Sequence, residues 1–228
     1  MTRLSSVRSQ RGLVALLLAV AILTTVATTL VIRQANAVRF SGNKVAVTKQ
    51  RLEAIRLSLI NFATVNNRLP CPTATNVDTG LADPIGPIAV CNSPGGTVPW
   101  NDLGIPSSDS LDGWGRKISY RAYRSDNLVT SAVISVNDAA AGLVGSIALV
   151  LISHGATGYG AWLSGGTQMA LLPANPGNVQ ETANRQVLPT YYRAPLYSAA
   201  TVVPSANNHF DDEVVYMTVA DLKTAAGR

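Results

Sequence analysis

Residues 13–32 read LVALLLAVAILTTVATTLVI, twenty positions without a charge, a proline or a glycine. A helix rises about 1.5 Å per residue, so this run is about 30 Å long as a helix, the thickness of a bilayer's hydrocarbon core. Thr24, Thr25, Thr28 and Thr29 can return their hydroxyls to the helix's own carbonyls, so they do not forbid insertion. Arg33 ends the run. Read outward from there, the chain divides into a basic leader at 1–12, a transmembrane helix at 13–32, a connector at 33–48 and one folded domain at 49–228.

Of 228 residues, 14% are charged and 6% aromatic. That balance lies far from the disordered class, which combines high charge with low hydrophobicity. Long stretches of Gly, Pro, Ser, Thr, Asn and Ala point to much ordered loop around a modest core. The net charge is +5, but three of the 18 basic residues, Arg3, Arg8 and Arg11, precede the apolar run; the remaining 15 face 13 acidic ones, a balance of about +2. With no arginine-rich face and no aromatic–basic interleave, nucleic acid is not an expected partner. Cys71 and Cys91 lie in no CxxC pair and have no histidine cluster near them, which argues against zinc. In an exported domain they can pair and close a loop, at an entropic cost to the unfolded chain of about 3 kcal/mol; in a reducing cytosol they are two buried thiols. The apolar run favours the disulfide.

The amino terminus admits three readings. A basic segment, an apolar run and Ala35-Asn36-Ala37 make a secretory signal cut after Ala37. The run's length suits an uncleaved signal anchor instead. The third reading uses Gln10-Arg11-Gly12 directly before the run. A basic residue, a glycine and then an apolar helix resemble the leader junction of type IV prepilins and type II secretion pseudopilins, which implies cleavage by a prepilin peptidase between Gly12 and Leu13. Leu17 stands at the fifth mature position, where the family usually carries Glu; some minor pseudopilins also lack it. Basic residues are more numerous after the run than before it, but large trailing domains translocate regardless of such charge, and the domain is expected outside.

Beyond a Ser41-Gly42-Asn43 break, where a bend is expected, residues 49–65, KQRLEAIRLSLINFATV, place Leu52, Ile55, Leu59 and Phe62 on one helix face. Leu57 and Ile60 widen the stripe. Glu53 and Arg56 are spaced to pair. Asn66, Asn67 and Pro70 stop the helix. Turn-rich residues 73–99 follow, then an alternating KISYRAY strand at 117–123. Further strands are expected at 131–136, 146–153 and 214–219, with a hairpin at 137–145 and a short helix at 219–226. The fold class is α+β: an N-terminal transmembrane helix, and an amphipathic helix packed on an antiparallel sheet of four or five strands with a disulfide-closed loop.

The order of RLPCP at 68–72, Cys91, Pro99-Trp100, Leu103-Gly104, Asp112, Trp114-Gly115 and ISYR at 118–121, then ISHGATGYGA at 152–161 and Phe210-Asp211-Asp212, resembles the periplasmic domain of pilin-like and pseudopilin-like proteins over residues 11 to about 222. The resemblance implies a minor structural subunit of a type IV pilus or type II secretion apparatus. It would sit single-pass in the bacterial inner membrane, with its domain in the periplasm or in a surface filament. It would work by assembly with other pilin-like subunits, the inner-membrane assembly platform, the prepilin peptidase and membrane lipid. Two rivals differ in class: a membrane-anchored binding protein that does not polymerise, and an anchored hydrolase.

Trp100, Trp114 and Tyr120 are candidate structural anchors, and Asp112 a turn brace. Ser153-His154-Gly155 invites a nucleophile reading, yet there is no G-x-S-x-G elbow, and adjacent side chains of an extended segment point to opposite faces. His154 is therefore expected to bond loop backbone, and no catalytic residue and no cofactor are expected. Asp211 and Asp212, paired with Asp112, are calcium candidates, since calcium takes several oxygens; some major pseudopilins bind calcium in a C-terminal loop. Residues 164–209 read as an irregular surface segment in which Tyr191, Tyr192 and Tyr197 offer a contact surface.

Overall fold

A computed structural model describes residues 5–86, 90–122, 134–170, 179–187, 189–193 and 210–228; between residues 5 and 41 it describes side chains only at 16 and 19–28. Tyr197, the last residue of the strand expected at 117–123 and the first half of the strand expected at 131–136 lie outside the described residues. The chain forms two compact units, Met1–Asn43 and Lys44–Arg228.

The first unit is helical from Ser5 on, and α1 is assigned continuously over Ser5–Asn66. Among the described residues no helix is long and apolar enough to cross a membrane, which corrects the transmembrane helix expected at 13–32. The described side chains of that run include ten consecutive residues, 19–28. They make about 15 Å of helix, half a hydrocarbon core, and three of them are threonines. Helix assignment runs without interruption through the break expected at 41–43; a glycine costs a helix only about 1 kcal/mol, and the space around Gly42 is open. The amphipathic segment is therefore not a separate helix but the end of α1.

In the Lys44–Arg228 unit that end of α1 buries Leu52, Ile55, Leu59 and Ala63 completely. Ala63 takes the place expected of Phe62, which is half-buried, and Leu57 is 49% exposed. Glu53 and Arg56 pair as their spacing predicts. The helix stops at Asn67, whose left-handed φ of 57° and amide bond to the Ala63 carbonyl close the last turn.

The remaining elements are β1 (Gly95–Thr97), a 3-10 turn (Ser107–Ser110), β2 (Ser119–Arg121), β3 (Ile134–Asp138), β4 (Gly142–Ser153), α2 (Val179–Arg185), β5 (Thr190–Arg193), β6 (Glu213–Thr218) and α3 (Val219–Ala225). Among the described residues the six strands form one sheet with β4 at its centre. Ile147 pairs with Ile134 of β3 and Thr218 of β6, and Ile152 with Ser119 of β2 and Val214 of β6. So β6 lines one edge of β4, while β2 and β3 follow one another along the other. The sheet is mixed, not antiparallel, because β5 runs parallel to β3. β4 turns back on β3 in a hairpin, and β5, which follows β4 through α2, reverses once more and so lies alongside β3 in β3's own direction.

Both faces of β4 are covered, which is why its second half is a continuous apolar run. Ala148, Leu149 and Leu151 pack with α1, Ile118, Tyr120 and Leu222. Val150 and Ile152 pack with Val136, Tyr191 and Val214 on the other face. Cys71 and Cys91 are joined in a disulfide, with Cα atoms 5.4 Å apart.

Asp138 ties three strands. Its carboxylate accepts bonds from the Ala140 amide (2.9 Å), the Tyr216 hydroxyl of β6 (2.8 Å) and Arg193 of β5 (2.8 Å). Burial alone would raise its pKa, but these donors outweigh it and hold the carboxyl below its usual 3.8. A depressed carboxylate stabilises the fold above pH 3.8 and loses that stabilisation as pH falls through its folded pKa. Asp138→Asn is therefore expected to cost about 1–3 kcal/mol at pH 7. The gap to the parent should close below pH 3.8 in urea melts taken across that range.

Candidate functional site

Two regions of the molecule carry side chains that packing alone does not explain. The first is the carboxyl end of β4. Ser153 Oγ donates to Asp112 Oδ2 at 3.0 Å, while His154 turns to the opposite face, its Nε2 3.2 Å from Ser119 Oγ. No nucleophile–base pair exists between them, as the alternation of an extended segment predicts. The expected bond from the His154 ring to loop backbone is made instead to the Ser119 hydroxyl.

Asp112 braces its turn. Oδ1 accepts the amides of Trp114 and Arg116, each at 2.9 Å, and the Arg116 guanidinium lies 3.1 Å from Oδ2. Arg116 in turn donates to the Gly155 carbonyl. Asp112 is not among the carboxylates gathered about Asp211 and Asp212. Trp114 is half-buried with Arg116 5.2 Å above its ring. Trp100 is also half-buried, packs on the core and lies so close to Gly80, at φ 64°, that any Cβ there would strike its ring. Tyr120 is fully buried and donates to the Pro70 carbonyl at 3.1 Å.

Asp211 and Asp212 meet a residue the sequence reading missed, Glu181 of α2; one carboxylate oxygen from each lies within 4.8 Å of the others. The Asp211 amide donates to Glu181 Oε1 at 3.1 Å. Asp211 accepts the Thr157 amide (2.7 Å) and hydroxyl (3.0 Å). Asn184 donates to Asp212 Oδ2 at 2.9 Å and clamps the backbone of Tyr192 from both sides. Burial, then the charges of Asp212 and Asp211, push Glu181 up to about 9. Burial, then Arg121 and Arg116, push His154 down to about 3, so its ring is neutral at pH 7. Glu181 and Asn184 sit in VQETANR, a helix-compatible stretch inside a segment whose prolines dominate its appearance. Lack of Pro and Gly over 179–187 was the one available signal.

The second region is the exposed part of α1. Leu16, Val20, Ile22, Leu23 and Val26 are 51–74% exposed. At 100° per residue they occupy an arc of about 160°. Thr24, Thr25 and Thr28 lie outside that arc and return their hydroxyls to carbonyls one turn back, among them those of Ala21 and Thr24. Among the described residues this part of the helix thus carries an exposed apolar stripe, and these three threonine hydroxyls are satisfied within the helix. The predicted leader junction, Gly12 and Leu13, falls within the helical residues.

A cavity of about 520 Å³ lies between the disulfide loop and the 3-10 turn, lined by Thr73, Val77, Asp78, Trp100, Ser108 and Lys117 among others. Lys117 pairs with Asp78 and donates to the Val77 carbonyl at its wall. Compared with known proteins, the chain matches no family model, no curated protein and no solved structure.

Proposed function

We propose that this chain is a minor pilin-like or pseudopilin-like structural subunit of a type IV pilus or type II secretion apparatus, and that it works by assembly rather than catalysis. The observation that carries this reading is the apolar stripe of Leu16, Val20, Ile22, Leu23 and Val26, exposed on a helix whose other end is built into a folded domain. Exposed contiguous apolar surface marks an interaction site. The stripe matches the geometry by which like helices pack side by side. Its partners are other pilin-like subunits and the inner-membrane assembly platform, after a prepilin peptidase has cut between Gly12 and Leu13. The domain faces the periplasm, an oxidising compartment in which the Cys71–Cys91 bond persists. Ser153 and His154, bonded to different partners, support no hydrolase.

A second reading, a binding protein that does not polymerise, draws on the cavity beside Trp100 and Lys117. One experiment separates the two. With Leu23→Cys in living bacteria, oxidative crosslinking yields dimers and higher ladders if the stripe packs on sister helices. A clean monomer, together with a mature chain that starts at Met1 or Val38 instead of Leu13 by mass spectrometry, overturns assembly.

A further inference from the structure

We propose that Glu181, Asp211, Asp212 and His154 form a binding site for a divalent transition-metal ion of the Mn²⁺ or Zn²⁺ class. The three carboxylates come from separate places in the chain, α2 and the residues entering β6, and the fold brings one oxygen of each within 4.8 Å of the others. That spacing is the span of one coordination sphere before it closes on an ion, since metal–oxygen bonds run from about 2.0 to 2.6 Å.

The second observation is independent of the acidic cluster. His154 is 1% exposed, and its Nδ1 has no hydrogen-bond partner among the described residues. That nitrogen lies 3.6 Å from Asp212 Oδ1 and so faces one carboxylate of the cluster. The other ring nitrogen, Nε2, is held at 3.2 Å by Ser119 Oγ. With the proton on Nε2 donated to Ser119, Nδ1 presents its lone pair to the cluster, the tautomer a metal-bound imidazole requires.

The surrounding bonds orient the carboxylates as an outer shell does. Thr157 fixes Asp211, Asn184 fixes Asp212, and the Asp211 amide fixes Glu181. Three carboxylates and one imidazole make a mixed oxygen–nitrogen set. Imidazole suits zinc-class ions and carboxylates suit manganese, whereas calcium and magnesium sites are built from oxygen. This donor set differs from the calcium set anticipated from the sequence, since Asp112 is absent from it and a nitrogen is present.

The test uses the full chain, stripped with EDTA and titrated separately with MnCl₂, ZnCl₂ and CaCl₂. Calorimetry is expected to show one Mn²⁺ or Zn²⁺ per chain, with a raised melting midpoint. Calcium should bind at least about tenfold more weakly. His154→Ala and Asp212→Asn should each weaken the transition ion by at least about tenfold. Pulsed electron paramagnetic resonance of the Mn²⁺-loaded chain should show coupling to an imidazole nitrogen that His154→Ala removes. If His154→Ala does not fold, Glu181→Gln and the nitrogen coupling of the parent chain carry the test. The proposal is overturned if no ion binds, if binding is indifferent to Glu181→Gln and Asp212→Asn, or if calcium binds as tightly as Mn²⁺ and no nitrogen coupling is seen.

Discussion

Asp112→Asn is expected to destabilise the Lys44–Arg228 unit by about 3–5 kcal/mol, the cost of breaking a buried ion pair from one side. Asp112 is 2% and Arg116 6% exposed. The carboxylate takes two backbone amides, the Arg116 guanidinium and the Ser153 hydroxyl. An amide side chain keeps the shape but turns one acceptor into a donor, aimed at groups that themselves donate. The Arg116 charge is then left buried without its counter-ion. Urea melts at pH 7 measure the loss. Ser153→Ala, which removes one hydrogen bond and no charge, should cost about 1 kcal/mol. Equal effects from the two variants would mean that the ion pair contributes nothing beyond a neutral bond.

Leu59→Ala is expected to cost about 3–5 kcal/mol, whereas Leu57→Ala should stay within about 0.5 kcal/mol. Both leucines lie on the apolar side of the 49–65 periodicity, yet Leu59 is fully buried against the sheet and Leu57 is 49% exposed. Truncating Leu59 removes buried methyl groups and leaves a void that close-packed neighbours such as Leu149 and Leu151 fill only in part. Thermal melts of the two variants, side by side, check the orientation of the helix on the sheet. A large loss at Leu57 would mean that the helix is rotated about its axis from the position described here.

Much of the domain is legible in the sequence because its elements obey strong periodicities. The 3–4–3 spacing of Leu52, Ile55, Leu59 and Phe62 identifies the face of α1 that meets the sheet, and Asn67 ends the helix where a left-handed residue is needed. The apolar second half of β4 reads as central and is central. Residues 219–226 read as a short helix; α3 spans Val219–Ala225, and Thr218 caps it by accepting the Asp221 amide.

What stays hidden is set by tertiary contact rather than local pattern. Gly95–Thr97 carries no strand signal; it pairs because Gly96 alone lets the Thr73 backbone pass, a Cβ there falling about 2.1 Å from the Thr73 carbonyl oxygen. β5 has only four residues, and its parallel partnership with β3 depends on a crossover that no window of sequence contains. The candidate metal centre was half legible. Asp211 and Asp212 stand out as acids before a strand, but Glu181 lies thirty positions earlier, and Asp112 is diverted by an arginine four residues on.

The turn at 111–113 grips the helix at three successive levels. A Cβ on Gly113 would strike the Lys44 carbonyl, the Gly113 amide donates to Thr48 Oγ1 at 2.9 Å, and Arg51 donates to the carbonyls of Leu111 and Asp112. These levels are spaced four and three residues apart, so they form a collar along one side of the helix. Through Asp112 and Ser153 the collar is bolted to the central strand. Tension drawn on the helix from its amino-terminal side therefore enters the sheet at β4 before it loads the apolar seam further along. Polar bonds to the central strand thus hold the helix ahead of the apolar seam made by Leu52, Ile55 and Leu59.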